Sequence, residues 1–317
     1  MDSRFGLRSV LNFAIVLFVL ALAAVGCARP GLVEPASAPG TGDTEASLDI
    51  TVSIVPQKYF VERIGGEYVA VNVMVLPGNN PATYEPKPEQ LKALSSADAY
   101  VSIGVPFETV WLPKIAAANE RMVIVDSIAE IERMPMSAHE HGEDRADEED
   151  EHAEGAPDPH VWLSPSLVKV QSQAIYRALI ELDPAHEDAY RANLDAFVAD
   201  IDALEADIRD TLGDLENNKF MVFHPSWGYL ARDFGLEQIA IEVGGQEPSA
   251  AELARLIQQA KQEEIRVIFA QPEFSTRDAE TIAQEIDGQV LLVSPLAADW
   301  LANLRQVAES FARVLGQ

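Results

Sequence analysis

The chain has 317 residues, 48% of them apolar and 23% charged, with a formal net charge of -28 and a single cysteine. That length supports two ordinary domains with their own cores, and the composition is globular rather than disordered. The acidic balance excludes a nucleic-acid partner, which needs a basic footprint, and one cysteine cannot build a disulfide framework.

Arg4 and Arg8 precede an apolar run from Val10 to Gly26 that ends at Cys27. A basic start, a short apolar core and small residues before a cut predict a secretory signal; the run only approaches the length of a membrane span. The ending AAVGC resembles a bacterial lipobox, which implies lipidation of Cys27 as the mature N-terminus. Residues 1–27 are therefore expected to be a lipoprotein signal peptide. Residues 28–48, rich in Pro, Gly, Ser and Thr, are expected to be a flexible tether.

From Asp49 short β-branched runs alternate with helical stretches. Strands are expected over 49–55, 69–76, 99–104 and 122–127, with helices near 57–64, 88–95 and 107–118 between them. The rhythm returns with strands at 219–223, 238–243, 266–271 and 290–294, each followed by a helix. This alternation predicts an α/β fold of two lobes, each with a mostly parallel four-stranded sheet. The lobes are placed at 49–182 and 216–317, joined by a linking helix within 183–215. In that linker Leu194, Phe197, Val198, Ile201, Leu204, Ile208 and Leu212 recur at helical spacing with acids on the other face. Asp183 as N-cap and Pro184 at the first position would start a helix of about 29 residues, roughly 43 Å long. Two such lobes enclose a cleft, and ligands favour the carboxyl ends of its strands.

Two histidines fall where such a cleft needs them. His224 directly follows an expected strand and precedes a proline, which holds it extended. His160 lies in PDPHVWLSP, braced by prolines, with Trp162 able to pack beneath it. Taken alone, each is open between a metal ligand and a satisfied core histidine. His139, His141 and His152 lie in an acidic, Gly-containing tract without apolar periodicity, so residues 137–157 are expected to be a disordered loop. That loop either collects divalent ions weakly or is a solvated acidic segment with incidental histidines. His186 is read as part of a surface helix.

The segments PGNNPATYEPKPEQ (77–90), DPHVWLSP (158–165), FHPSWGYLARDFGLEQIAIE (223–242) and IFAQPEFSTRDAETIAQEI (268–286) with VSPL (293–296) stand in a distinctive order. From about Ile50 to Gln317 the chain resembles the solute-binding lipoproteins of bacterial zinc and manganese ABC importers. The His- and acid-rich loop before the second segment resembles the zinc-uptake branch. The resemblance implies that His160 and His224 are two of the metal ligands. It also exposes two departures: Ala82 stands where the family usually has a histidine, and Ser294 where it usually has an acid. Two imidazoles alone make a weak zinc site, since zinc takes three or four donors. Three explanations stay open. Tyr84, Glu85, Glu242 or Glu273, or a water, completes the shell; a loop histidine does so; or the site has drifted to another ligand.

The resulting expectation is an extracytoplasmic protein, lipid-anchored to a bacterial membrane through Cys27. It would be a monomer that captures Zn²⁺ and delivers it to an ABC permease. Alternatives are a Mn²⁺ or Fe²⁺ carrier on the same fold, because harder ions prefer oxygen donors, and a surface adhesin or metal buffer uncoupled from transport. No H-E-x-x-H, P-loop or G-x-S-x-G motif supports an enzyme.

Overall fold

Two parallel sheets form where the alternation places them. The computed structural model describes residues 47–136, 156–213, 215, 217–242 and 246–316. Cys27 with its apolar run, and the loop histidines His139, His141 and His152, lie outside the described residues. The first sheet contains β1 (Leu48–Ile54), β2 (Val69–Val75), β3 (Ala99–Ser102) and β4 (Val123–Asp126), in the order β2-β1-β3-β4. The second contains β5 (Lys219–Val222), β6 (Glu237–Ala240), β7 (Val267–Ala270) and β8 (Gln289–Leu292), in the order β6-β5-β7-β8. The two topologies are the same. Ile50 pairs in parallel with Val71 and Ala99, and Met221 with Ile239 and Ile268.

The connections are α1 (Val55–Gly65), α2 (Pro88–Leu94), α3 (Pro106–Ala118), α4 (Pro165–Leu182), α5 (Glu187–Leu212), α6 (Gly228–Phe234), α7 (Ala250–Gln262), α8 (Arg277–Glu285) and α9 (Trp300–Leu315). Helix α4 is the element the sequence reading passes over. Pro165 opens it and the Ser164 hydroxyl accepts from the Leu167 amide, a standard helix start. Its buried face mixes Val168, Ile175 and Leu179 with Gln171 and Ser172, which blurs the apolar stripe.

The long helix starts later than expected. Pro184–His186 is a 3-10 turn, and α5 runs from Glu187 for 26 residues, about 39 Å. Asp183 does not cap it. Its Oδ2 is taken by the Tyr190 hydroxyl at 2.7 Å and by His186 Nδ1 at 2.6 Å. His186 is accordingly no plain surface residue; its ring stacks on Tyr68 with centroids 3.9 Å apart.

The apolar stripe of α5, from Tyr190 to Leu212, is buried and packs on α1, α4 and α9. Val198, expected in that stripe, is only partly buried at its edge. Phe197 of α5 meets Phe60 of α1 at 6.0 Å and Trp300 of α9 at 6.4 Å, while Phe60 and Trp300 meet edge-on at 5.2 Å. One buried cluster therefore runs from Val52 and Val101 of the first sheet through α5 to Phe269 and Phe311 of the second lobe. Indole groups pin the same seam: Trp162 Nε1 donates to the Pro295 carbonyl, and Trp300 Nε1 to the Trp162 carbonyl, both at 2.7 Å. Among the described residues no helix is long and apolar enough to cross a membrane.

Candidate metal centre

A cleft of about 430 Å³ opens at the carboxyl ends of both sheets. Its walls come from the segments after β2 (Asn80 to Thr83), β3 (Val105, Pro106), β5 (Phe223, His224), β6 (Glu242), β7 (Glu273 to Ser275) and β8 (Pro295, Leu296). His160, from the segment leading into α4, also lines it. This is where a parallel sheet leaves room for a ligand.

His160 is 7% exposed and held by Asp158 twice over. One oxygen of that carboxylate accepts the His160 backbone N–H at 2.9 Å and faces its Nδ1 at 2.6 Å. Asp158 is fixed in turn. Its N–H donates to the Met134 carbonyl at 2.8 Å, and its carbonyl accepts from the buried Tyr229 hydroxyl at 2.9 Å. Trp162 packs against the ring, with centroids 5.1 Å apart.

His224 sits just past β5. The Gln271 side chain grips its backbone from both sides, Oε1 accepting its N–H at 3.2 Å and Nε2 donating to its carbonyl at 2.6 Å. Phe274 stacks on the imidazole at 4.4 Å and 18°. Glu242 faces Nδ1 at 2.7 Å. Burial lowers the imidazole below the ordinary histidine value, an effect that the Glu242 hydrogen bond opposes and nearby His160 reinforces. The ring is therefore neutral at neutral pH.

In both rings a carboxylate at Nδ1 fixes the proton there and leaves the Nε2 lone pair free, as metal-binding histidines require. These two nitrogens lie 3.3 Å apart. Two lone pairs at that distance repel unless a cation lies between them. Nitrogens each about 2.0–2.1 Å from a tetrahedral zinc stand about 3.3–3.4 Å apart, so the pair already has the bite of such an ion.

The other candidates separate. Tyr84 is buried away from the cleft, its hydroxyl donating to Gln90 Oε1 at 2.5 Å and its ring packing on Phe107. Glu85 is exposed and outside the cleft lining. Glu242 lines the cleft but is engaged behind His224. Glu273 lines it with a buried Oε2 that has no hydrogen-bond partner. Burial raises the Glu273 carboxyl above the usual range, opposed by its own backbone N–H and by the Ser294 hydroxyl. The carboxylate next to Ser294 is thus supplied by the neighbouring loop. Ala82 lines the cleft wall and brings no donor. Among the described residues no three His, Cys, Asp or Glu side chains converge closely enough to hold one ion.

Among the groups that hold the two histidines, sequence reading missed Asp158, Gln271 and Phe274. Asp158 was legible in the D-x-H spacing, since an aspartate accepts readily from an amide two residues on. Gln271 and Phe274 carry no local signal, because only the β5–β7 pairing brings them to His224.

The family model described as zinc-uptake complex component A periplasmic (ZnuA) matches residues 50–314. The high-affinity zinc uptake system protein ZnuA of Bacillus subtilis (strain 168) is 30% identical over 265 residues, covering 82% of this chain and 82% of that protein. Of solved structures, a crystal structure of ZnuA matches with a TM-score of 0.79 and 50% identity, over 85% of this chain and 99% of that one. A ZnuA deletion mutant with zinc bound matches with a TM-score of 0.78 and 48% identity, over 86% of this chain and 99% of that one. With matched sequence running through both sheets and the cleft between them, the chain belongs to the ZnuA family of periplasmic zinc-uptake components.

Proposed function

We propose that this protein is the extracytoplasmic solute-binding component of a zinc ABC importer, a carrier rather than a catalyst. The ion is its cargo. It is captured between the lobes at 49–182 and 216–317 and passed to the membrane permease. The observation that carries this reading is the 3.3 Å separation of the His160 and His224 Nε2 atoms, with both Nδ1 atoms committed to carboxylates.

His160 and His224 bind the ion as neutral imidazoles. Glu273, which lines the cleft, is the third group of the site, its carboxylate acting on the ion or on a water bound to it. Asp158 and Glu242 orient the rings and raise their basicity. The lipidated Cys27 and the tether that follows it hold a monomer at the membrane surface, and His139, His141 and His152 collect ions. The aromatic seam through Phe60, Phe197 and Trp300 resists wide hinge closure, which leaves local loop shifts to release the ion.

A carboxylate beside two imidazoles also suits a harder ion such as Mn²⁺ or Fe²⁺. Metal analysis of the soluble domain, from about Ala46, after equilibration with equimolar zinc, manganese and iron tests both points. The expected result is one zinc per chain in the native protein and none in a His160→Ala, His224→Ala double variant. Stoichiometric zinc in that variant would remove both histidines from the site, and preferential manganese or iron would change the cargo.

A further inference from the structure

The cleft is larger than a bare ion requires. A volume of about 430 Å³ lies within the range, about 300–1,000 Å³, of pockets that hold small organic molecules. Its walls have the matching chemistry: Pro81, Val105, Pro106, Phe274 and Leu296 supply apolar surface around a few polar groups. No Lys or Arg is among the described residues that line it, whereas Glu242, Glu247 and Glu273 do. That charge disfavours a polyanionic ligand and suits a cationic or neutral one.

The coordination points the same way. His160 and His224 offer two nitrogens, and among the described residues no third acidic, thiol or imidazole side chain converges with them. Tetrahedral zinc has two further positions, and it expands to five donors when pressed. Glu273 lines the cleft, and its Oε2, shielded from solvent, has no hydrogen-bond partner.

We propose that the cleft takes zinc as a one-to-one complex with an α-amino acid. The amine nitrogen and carboxylate oxygen fill the positions that the histidines leave open. The metal-bound amine N–H donates to the Glu273 carboxylate that lines the cleft, and the side chain lies within the cleft. Zinc with one amino-acid anion carries a net charge of +1, which suits these walls; a citrate complex is anionic and does not. The inference rests on the proposed function, since it needs zinc on His160 and His224.

Equilibrium dialysis of the native soluble domain with zinc and radiolabelled L-histidine tests it. We expect one labelled histidine retained per bound zinc, none without zinc, and no retention of labelled citrate at the same concentration. The Ala82→His variant, which adds a protein imidazole to the cleft wall, should keep its zinc and lose labelled histidine at least tenfold. Stoichiometric zinc with no histidine retained at millimolar histidine overturns the inference and leaves the zinc-carrier reading intact. Histidine retained equally in Ala82→His also overturns it, because the amino acid then lies elsewhere. Failure to retain zinc under any condition, or full retention after loss of both His160 and His224, removes the zinc-carrier reading itself.

Discussion

The Nε2 atoms of His160 and His224 lie 3.3 Å apart, and behind each ring a buried carboxylate, Asp158 or Glu242, accepts from Nδ1. The carboxylates select the tautomer and strengthen the donor. Asp158→Asn and Glu242→Gln should therefore each weaken zinc binding by about 10- to 100-fold, since an amide can present either face to the ring. Competition against a chromophoric chelator measures this. An unchanged affinity in both variants would mean that the rings do not carry the ion.

Glu273 is the acid whose removal separates metal binding from stability. Its buried oxygen has no partner and burial disfavours its charge. Glu273→Gln should lose about tenfold or more in zinc affinity while the urea midpoint of the metal-free protein holds or rises. A midpoint that falls with no change in affinity would make Glu273 a structural residue.

A second buried carboxylate makes a pH-dependent prediction. Glu108 accepts from the Ser53 hydroxyl and from the amides of Ile103 at 3.0 Å and Gly104 at 2.8 Å, in the loop that leads to the cleft residues Val105 and Pro106. Burial raises its carboxyl above the ordinary value, and these hydrogen bonds only partly offset that. The folded chain then keeps the Glu108 proton to higher pH than the unfolded chain does. The Glu108 contribution to stability is complete below about pH 4.3 and declines as pH rises through the raised folded value, at no more than about 1.4 kcal/mol per pH unit. Urea unfolding of native and Glu108→Gln protein between pH 4 and 7 should show the difference moving against the native protein as pH rises. A difference independent of pH would contradict this.

The second lobe repeats one turn three times. After α6, α7 and α8 the chain enters the left-handed region, at Gly235 (φ 72°), Glu264 (φ 54°) and Asp287 (φ 52°). The following amides return to the helix, Leu236 to Ala231, Ile265 to Ala260 and Gly288 to Ala283. A Cβ at Gly235 would meet nothing within 4 Å, so Gly235→Ala isolates the backbone cost, about 1–2 kcal/mol of stability lost. Glu264→Gly should gain up to about 1 kcal/mol. Thermal or urea unfolding with both shifts in the same direction would refute the assignment.

Much of the architecture is legible because the strands are short, largely apolar runs that alternate with stretches of helical period. α4 was hidden by Gln171 and Ser172 on its buried face. The start of α5 differs from the sequence expectation because Asp183 looks like a cap, and only the fold shows Tyr190 and His186 occupying its carboxylate. At the site, His160 and His224 could be read from their strand-end and proline-braced positions. Tyr84, Glu85, Glu242 and Glu273 could not be ranked from sequence, because exposure and partner decide among them. Tyr84 is turned to Gln90, Glu85 faces solvent and Glu242 backs His224. Glu273 lines the cleft and keeps a buried oxygen without a hydrogen-bond partner.

X-ray absorption at the zinc edge of the stoichiometric complex counts the imidazoles directly. Two imidazole nitrogens at about 2.0–2.1 Å with other light-atom donors, lost together in the His160→Ala, His224→Ala variant, is the result expected of this site. Three or more imidazoles, or a first shell unchanged in that variant, would contradict it.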